Sequence, residues 1–271
     1  MLTLWRDGAN KRLHKTSYMR NPIIEFRQVE YQISTISSQP ILSVVSLQIY
    51  RGETIALLGR SGSGKTTLLK LINGLRRATS GHVLVQGRDV RDWDIIRLRR
   101  GVGYVIQETG LFPHLTVREN VCLVPQLEKW PSDRISARYV EVLQSVGLSP
   151  SLYSQRYPRE LSGGQRQRVG VARALAGDPE ILLMDEPFGA LDPVTRAQLQ
   201  REFLTLSRDL AKTVVFVTHD VREALLLGSR VILLDSGRMV AEATPQEFVR
   251  LTHPIAREFL AAAELATGAP A

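Results

Sequence analysis

Thr54-Ile55-Ala56-Leu57-Leu58-Gly59-Arg60-Ser61-Gly62-Ser63-Gly64-Lys65-Thr66 runs an apolar stretch straight into a glycine-rich turn. From Gly59 onward it fits GxxxxGK[ST], and Leu68, Leu69, Leu71, Ile72 and Leu75 follow at the spacing of a helix's apolar face. Asn73-Gly74 predicts where that helix stops. Strand, tight turn and helix in this order make backbone N–H groups and a helix N-terminus converge on phosphate oxygens. In such a turn Lys65 reaches the β and γ phosphates and the Thr66 hydroxyl faces Mg²⁺. The segment predicts an α/β nucleotide-binding fold.

Working outward, Ile181-Leu182-Leu183-Met184-Asp185-Glu186 is an apolar strand ending in two carboxylates. Alone, such a pair more often caps a helix or closes a turn. With a phosphate loop in the chain, Asp185 is expected to hold Mg²⁺ and Glu186 to face an attacking water. Alternation predicts strands around Ile24 and Phe26 and around Val45, Leu47 and Ile49. Further strands are expected at 82–85, 102–106, 213–218 and 230–234. Ile135, Tyr139, Val142, Leu143 and Val146, closed by Gly147, predict a helix. The organisation expected is a core of residues 22–106 and 177–250, a helical subdomain at 107–176 and a short helix and tail at 251–271.

Leu161-Ser162-Gly163-Gly164-Gln165-Arg166-Gln167-Arg168 opens a helical run ending near Ala176 and offers a second N-terminal anion site. One nucleotide does not easily use both sites of one subunit. At this point the chain resembles the ATP-binding cassette (ABC) ATPases over residues 22–250, with LSGGQ as their signature. Gln107, Ala190-Leu191-Asp192 and His219 follow the family's order of Q-loop, D-loop and switch histidine. The resemblance implies a P-loop NTPase core with an N-terminal antiparallel β subdomain and an inserted helical signature subdomain. It implies a head-to-tail dimer that holds ATP and Mg²⁺ between Gly59, Arg60, Ser61, Gly62, Ser63, Gly64, Lys65, Thr66 and Thr67 of one subunit and Ser162, Gly163, Gly164 and Gln165 of the other, with Asp192 nearby. It also implies Glu186 as general base, His219 on the γ-phosphate, and Thr66, Gln107 and Asp185 around Mg²⁺. The family's adenine-stacking aromatic aligns with Ile33; Tyr31, two residues earlier on the same strand face, is either its substitute or a packing residue.

The chain has 271 residues with net charge +8, and residues 1–20 hold half of that excess. Residues 1–21 are expected to be a disordered, solvated basic tail, and Met19 is an alternative start. The composition is that of a globular protein, and no stretch approaches the roughly 18–20 apolar residues of a membrane span. The lone Cys122 reads as a packing residue, and with no secretory signal visible a reducing cytosol is expected.

Residues 108–120 resemble the segment that bacterial importers place beneath their permease. Residues 155–161 and 186–193 look most like cassettes of glycine betaine and choline importers. The resemblance implies an ATPase at the cytoplasmic face of the membrane, held there by transmembrane permease subunits and served indirectly by an extracytoplasmic solute-binding protein. An amino acid or oxyanion importer is the alternative. An ABC ATPase acting on nucleic acid is a further one, but neither a long coiled-coil insertion nor a second cassette is present, and no nucleic-acid partner is expected.

Overall fold

The computed structural model describes residues 21–33, 40–107, 110–189 and 191–265. The basic segment 1–20 with Met19, and Glu108, Thr109, Ala190 and residues 266–271, lie outside the described residues. Strands β1 (Ile24–Tyr31) and β2 (Leu42–Ile49) bury Ile24, Phe26, Val29 and Tyr31 against Leu42, Val45, Leu47 and Ile49. Gln28 and Val44 take positive φ where the register shifts, a bulge that keeps Val29 and Val45 inward. Then follow β3 (Thr54–Leu58), α1 (Lys65–Ile72), β4 (Ser80–Val85), β5 (Arg88–Asp89), α2 (Ile95–Gly101) and β6 (Val102–Val105).

Helix α1 ends as Asn73-Gly74 predicts, because Gly74 turns the chain at φ 64° and Asn73 Oδ1 accepts the Leu75 N–H at 3.1 Å. Leu75 therefore falls outside the helix and is 46% exposed, a correction to its expected place on the apolar face. Likewise β6 stops at Val105, leaving Ile106 exposed.

The helical stretch comprises α3 (Val117–Leu127), α4 (Ser132–Ser145), α5 (Pro150–Tyr153) and α6 (Gly163–Ala176). Thr116 and Glu119 close a capping box on α3, worth about 0.5–2 kcal/mol. Cys122 is buried in α3, and burial pushes its thiol pKa up. The chain continues through β7 (Ile181–Asp185), α7 (Pro193–Leu210), β8 (Thr213–Thr218), α8 (Val221–Leu227), β9 (Arg230–Asp235), β10 (Arg238–Ala243), α9 (Pro245–Phe248) and α10 (Pro254–Leu265).

Two sheets result. The antiparallel one has order β2-β1-β4-β5; the other, β10-β9-β3-β8-β7-β6, is parallel except for β10. A strand covered on both faces must be apolar throughout, as β3, β7 and β8 nearly are. Successive residues then serve different layers. Ile55, Leu57, Leu183, Val215 and Val217 pack toward α1 and the antiparallel sheet. Ala56, Leu58, Leu182, Met184, Val214 and Phe216 join a cluster that runs unbroken into α3, α4 and α6. Gly103 lets α6 lie close to β6, since a Cβ there would sit 2.6 Å from the Ala174 carbonyl oxygen. The parallel register brings the C-terminal ends of β3, β7 and β8 side by side, Leu58 beside Thr218 and Asp185 beside Val217.

Candidate functional site

Gly59 leaves β3 pressed against β9, where a Cβ would lie 2.3 Å from the Leu234 carbonyl oxygen. Gly64, at φ 99° and crowded by Leu42, precedes α1 and supplies no side-chain cap. The first N–H groups of α1 are thus available to an anion. Lys65 folds over the turn, its Nζ donating to the Gly59 and Arg60 carbonyls at 2.8 and 2.7 Å. Burial lowers its pKa, while the charges of Glu186 and Asp185 work the other way. Thr66 Oγ1 donates to Asp185 Oδ1 at 2.8 Å, joining the loop to β7. Burial raises the Asp185 pKa and the Thr66 hydrogen bond opposes it. Ser61 and Gly62 are exposed, Ser63 is buried, Thr67 is half-buried, and exposed Arg60 pairs with Glu258 of α10.

Glu186 turns off the end of β7 at φ 46°, a left-handed conformation costing about 1–2 kcal/mol in a non-glycine residue. Its N–H donates to the Val217 carbonyl at 3.2 Å, and its Oε2 lies 3.6 Å from His219 Nδ1, just beyond β8. The structure therefore brings Lys65, Thr66, Asp185, Glu186 and His219 to one edge of the sheet. Gln107 is exposed just past β6, at the same end. Among the described residues no group of three or more His, Cys, Asp or Glu could hold a metal alone. The hydroxyl and carboxylate of Thr66 and Asp185 are hard oxygen donors, and such a sparse set suits Mg²⁺ bound together with phosphates.

The second N-terminal site expected from the sequence is the start of α6. Ser162 Oγ accepts the Gln165 N–H at 3.2 Å and Gln165 Oε1 accepts the Ser162 N–H at 2.9 Å, a reciprocal cap. A Cβ on Gly164 would meet Thr195 Cγ2 at 2.6 Å, and one on Gly163 would lie 3.8 Å from Leu191. Asp192 Oδ1 accepts the Thr195 N–H at 3.0 Å, and hydrogen bonds from the Thr195 side chain and backbone hold its carboxyl pKa low. Ser162, Gly163 and Asp192 thus share one exposed edge.

Tyr31 is 7% exposed, buried in the apolar cluster between the sheets with the Arg76 guanidinium 5.9 Å from its ring centre. Of its two readings this burial favours packing; Ile33 is half-buried.

Three residues near the site carried no motif signal. Tyr104, in β6, sits against Asp185, and burial with that carboxylate pushes its pKa up. Tyr153 Oη accepts from Gln165 Nε2 at 3.1 Å. Arg196 Nη2 donates to the Gly189 and Leu191 carbonyls at 3.2 and 3.1 Å, bracing the loop after Glu186. Only Arg196, one turn into a helix opened by Asp192-Pro193, stood where sequence could have flagged a loop contact.

Residues 42–189 match the family model described as ABC transporter. The glycine betaine/carnitine/choline transport ATP-binding protein of Bacillus subtilis is 51% identical over 206 residues, covering 76% of this chain and 54% of that protein. The chain thus spans about half the length of that relative. The glycine betaine uptake system ATP-binding protein of Escherichia coli is 46% identical over 246 residues, 90% of this chain and 78% of that protein. Among solved structures, the dimeric post-hydrolysis cassette MJ0796 bound to ADP and Pi superposes with a TM-score of 0.73 at 34% identity, covering 82% of this chain and 98% of that one.

Proposed function

From the chain's membership of the ABC transporter family, we propose that it is the ATP-hydrolysing subunit of an importer for a small quaternary-amine osmoprotectant of the glycine betaine or choline kind. The observation that carries the chemistry is the single sheet edge where Thr66, next to Lys65, meets Asp185 and Glu186 lies 3.6 Å from His219. The solute class rests on the 51% and 46% identities to proteins whose names carry these solutes.

In this reading Lys65 and the amides of residues 59–66 hold the β and γ phosphates of ATP. Bound with the nucleotide near Thr66, Asp185 and Gln107, Mg²⁺ supplies neutralisation of phosphate charge. Glu186 accepts a proton from the water that attacks the γ-phosphorus, and His219 contacts the γ-phosphate and keeps that carboxylate oriented. Ser162, Gly163, Gly164 and Gln165 of the partner subunit close on the same ATP in a head-to-tail dimer, with Asp192 at the seam. The capped start of α6 supports that role, because it leaves Ser162 and Gly163 exposed, away from their own core.

No helix among the described residues is long and apolar enough to cross a membrane. Transport then takes place in permease subunits on which this chain docks from the cytoplasmic face, with residues 22–250 acting as the cassette and 107–176 as its helical part. Specificity for the solute sits in the permease and an extracytoplasmic binding protein. Reconstituted with its permease and binding protein in proteoliposomes, the protein should drive uptake of radiolabelled glycine betaine or choline only with ATP. ATP-driven uptake of an amino acid or an oxyanion, with neither quaternary amine taken up, would overturn the solute assignment.

A further inference from the structure

Glu223 sits in the first turn of α8 and is 5% exposed, so its carboxylate is almost fully removed from water. Both oxygens are engaged. Oε2 accepts the Thr218 hydroxyl at 2.6 Å and Oε1 accepts Gln200 Nε2 at 2.9 Å. A carboxylate is costly to bury and is retained where its hydrogen bonds fix something. Here the Thr218 hydroxyl, donating to Glu223, accepts the Asp220 N–H at 3.0 Å. Thr218 and Asp220 are thereby clamped together, and the residue between them is His219.

On its other side Glu223 reaches α7. Gln200 lies one turn beyond Arg196; burial pushes the Glu223 pKa up, with Asp220 adding to the shift and the Thr218 hydrogen bond, the Arg196 charge and the Gln200 hydrogen bond opposing it. Arg196 grips the Gly189 and Leu191 carbonyls, and the Gly189 N–H returns to the Glu186 carbonyl at 3.2 Å. One buried acid thus connects the turn that carries His219 with the helix that braces the loop carrying Glu186.

We propose that Glu223 is a positioning residue for ATP hydrolysis: through Thr218 it fixes the turn of His219, and through α7 it sets that turn in register with Glu186. The proposal rests on the reading of Glu186 and His219 given above. Lys65 and Thr66 belong to α1 and the phosphate loop, with which none of these side chains hydrogen-bonds, so loosening the network acts on the catalytic pair while Lys65 and the loop amides still hold the nucleotide. An acid that merely stabilises the fold would show no such selectivity.

The test compares Thr218→Val, which keeps shape and removes the hydroxyl, with Thr218→Ser, which keeps the hydroxyl, alongside Glu223→Gln. ATPase rates of the chain would be measured over a range of ATP concentrations. Thr218→Val should lower kcat by about ten- to a hundredfold, the scale of a small misplacement of reacting groups, with a far smaller change in KM for ATP, because Lys65 and the loop amides still hold the phosphates. Thr218→Ser should restore kcat. Glu223→Gln keeps an acceptor for Thr218 but sets its amide against that of Gln200, and should fall between them. A folded Thr218→Val protein with normal kcat, or a Thr218→Ser protein as slow as Thr218→Val, would overturn the proposal. A wild-type chain that hydrolyses no ATP would overturn the reading of the site itself.

Discussion

Glu186 Oε2 stands 3.6 Å from His219 Nδ1 although the two residues leave different strands, β7 and β8, and Glu186 takes a left-handed backbone to reach that place. Strain of this kind persists where surrounding contacts hold it, here the Glu186 N–H on Val217 and the Gly189 N–H on Glu186. A carboxylate beside an imidazole at the end of parallel strands is a place where a water can lose a proton.

Glu186→Gln should therefore lower the ATPase rate by about 10²- to 10⁴-fold, the usual worth of a positioned base. Lys65 and Thr66 are unchanged, so binding of a fluorescent ATP analogue should persist. Near-normal turnover in the purified variant would contradict the role given to Glu186.

Gly103→Ala tests the packing of the signature helix on the sheet. The added methyl would meet the Ala174 carbonyl at 2.6 Å, a backbone atom that cannot swing aside. Overpacking of this sort costs about 1–3 kcal/mol, which calorimetry should show as a lowered Tm. An unchanged Tm would mean that α6 sits farther from β6.

Asp89 gives a pH dependence with a definite sign. Hydrogen bonds from the Arg91 side chain and backbone and from His82 hold its carboxyl far below the usual carboxylate range. A carboxyl with a depressed folded pKa adds stability above its unfolded value, near 4, and that stability is lost as pH falls toward the folded value. Asp89→Asn should thus lower Tm at pH 7 by about 2–4 °C, and the gap from wild type should narrow as pH falls below about 4. A gap that is constant with pH would rule out the linkage.

The phosphate loop was legible because its geometry is local: glycines, Lys65 and Thr66 lie within one turn and one helix start. The placement of Asp185 beside that loop was legible too, since an apolar strand ending in acids has few other uses next to such a loop; its hydrogen bond from Thr66 was not. Glu223 was not. Its burial depends on Gln200 and Arg196, more than twenty residues away on a helix whose packing no periodicity announces. Tyr31 shows the complementary limit, because strand alternation places it inward yet cannot say whether its ring stays open to a ligand. Strand β10 escaped notice for a third reason. It is an edge strand with only Ala243 buried, and its hairpin depends on positive φ at Ser236 and Gly237 rather than on an apolar stripe.

The most direct measurement of the central claim, that ATP is hydrolysed between the phosphate loop of one copy and the α6 start of another, is the ATPase rate of mixed variants. Lys65→Ala and Ser162→Arg should each be inactive as homodimers, since one lacks the phosphate ligand and the other blocks the opposing helix start. Mixed, they form heterodimers in which one of the two sites keeps an intact Lys65 facing an intact Ser162 of the partner subunit. The account predicts measurable turnover in the mixture and none in either variant alone. A mixture that stays inactive although heterodimers are demonstrated, or an active Ser162→Arg homodimer, would contradict it.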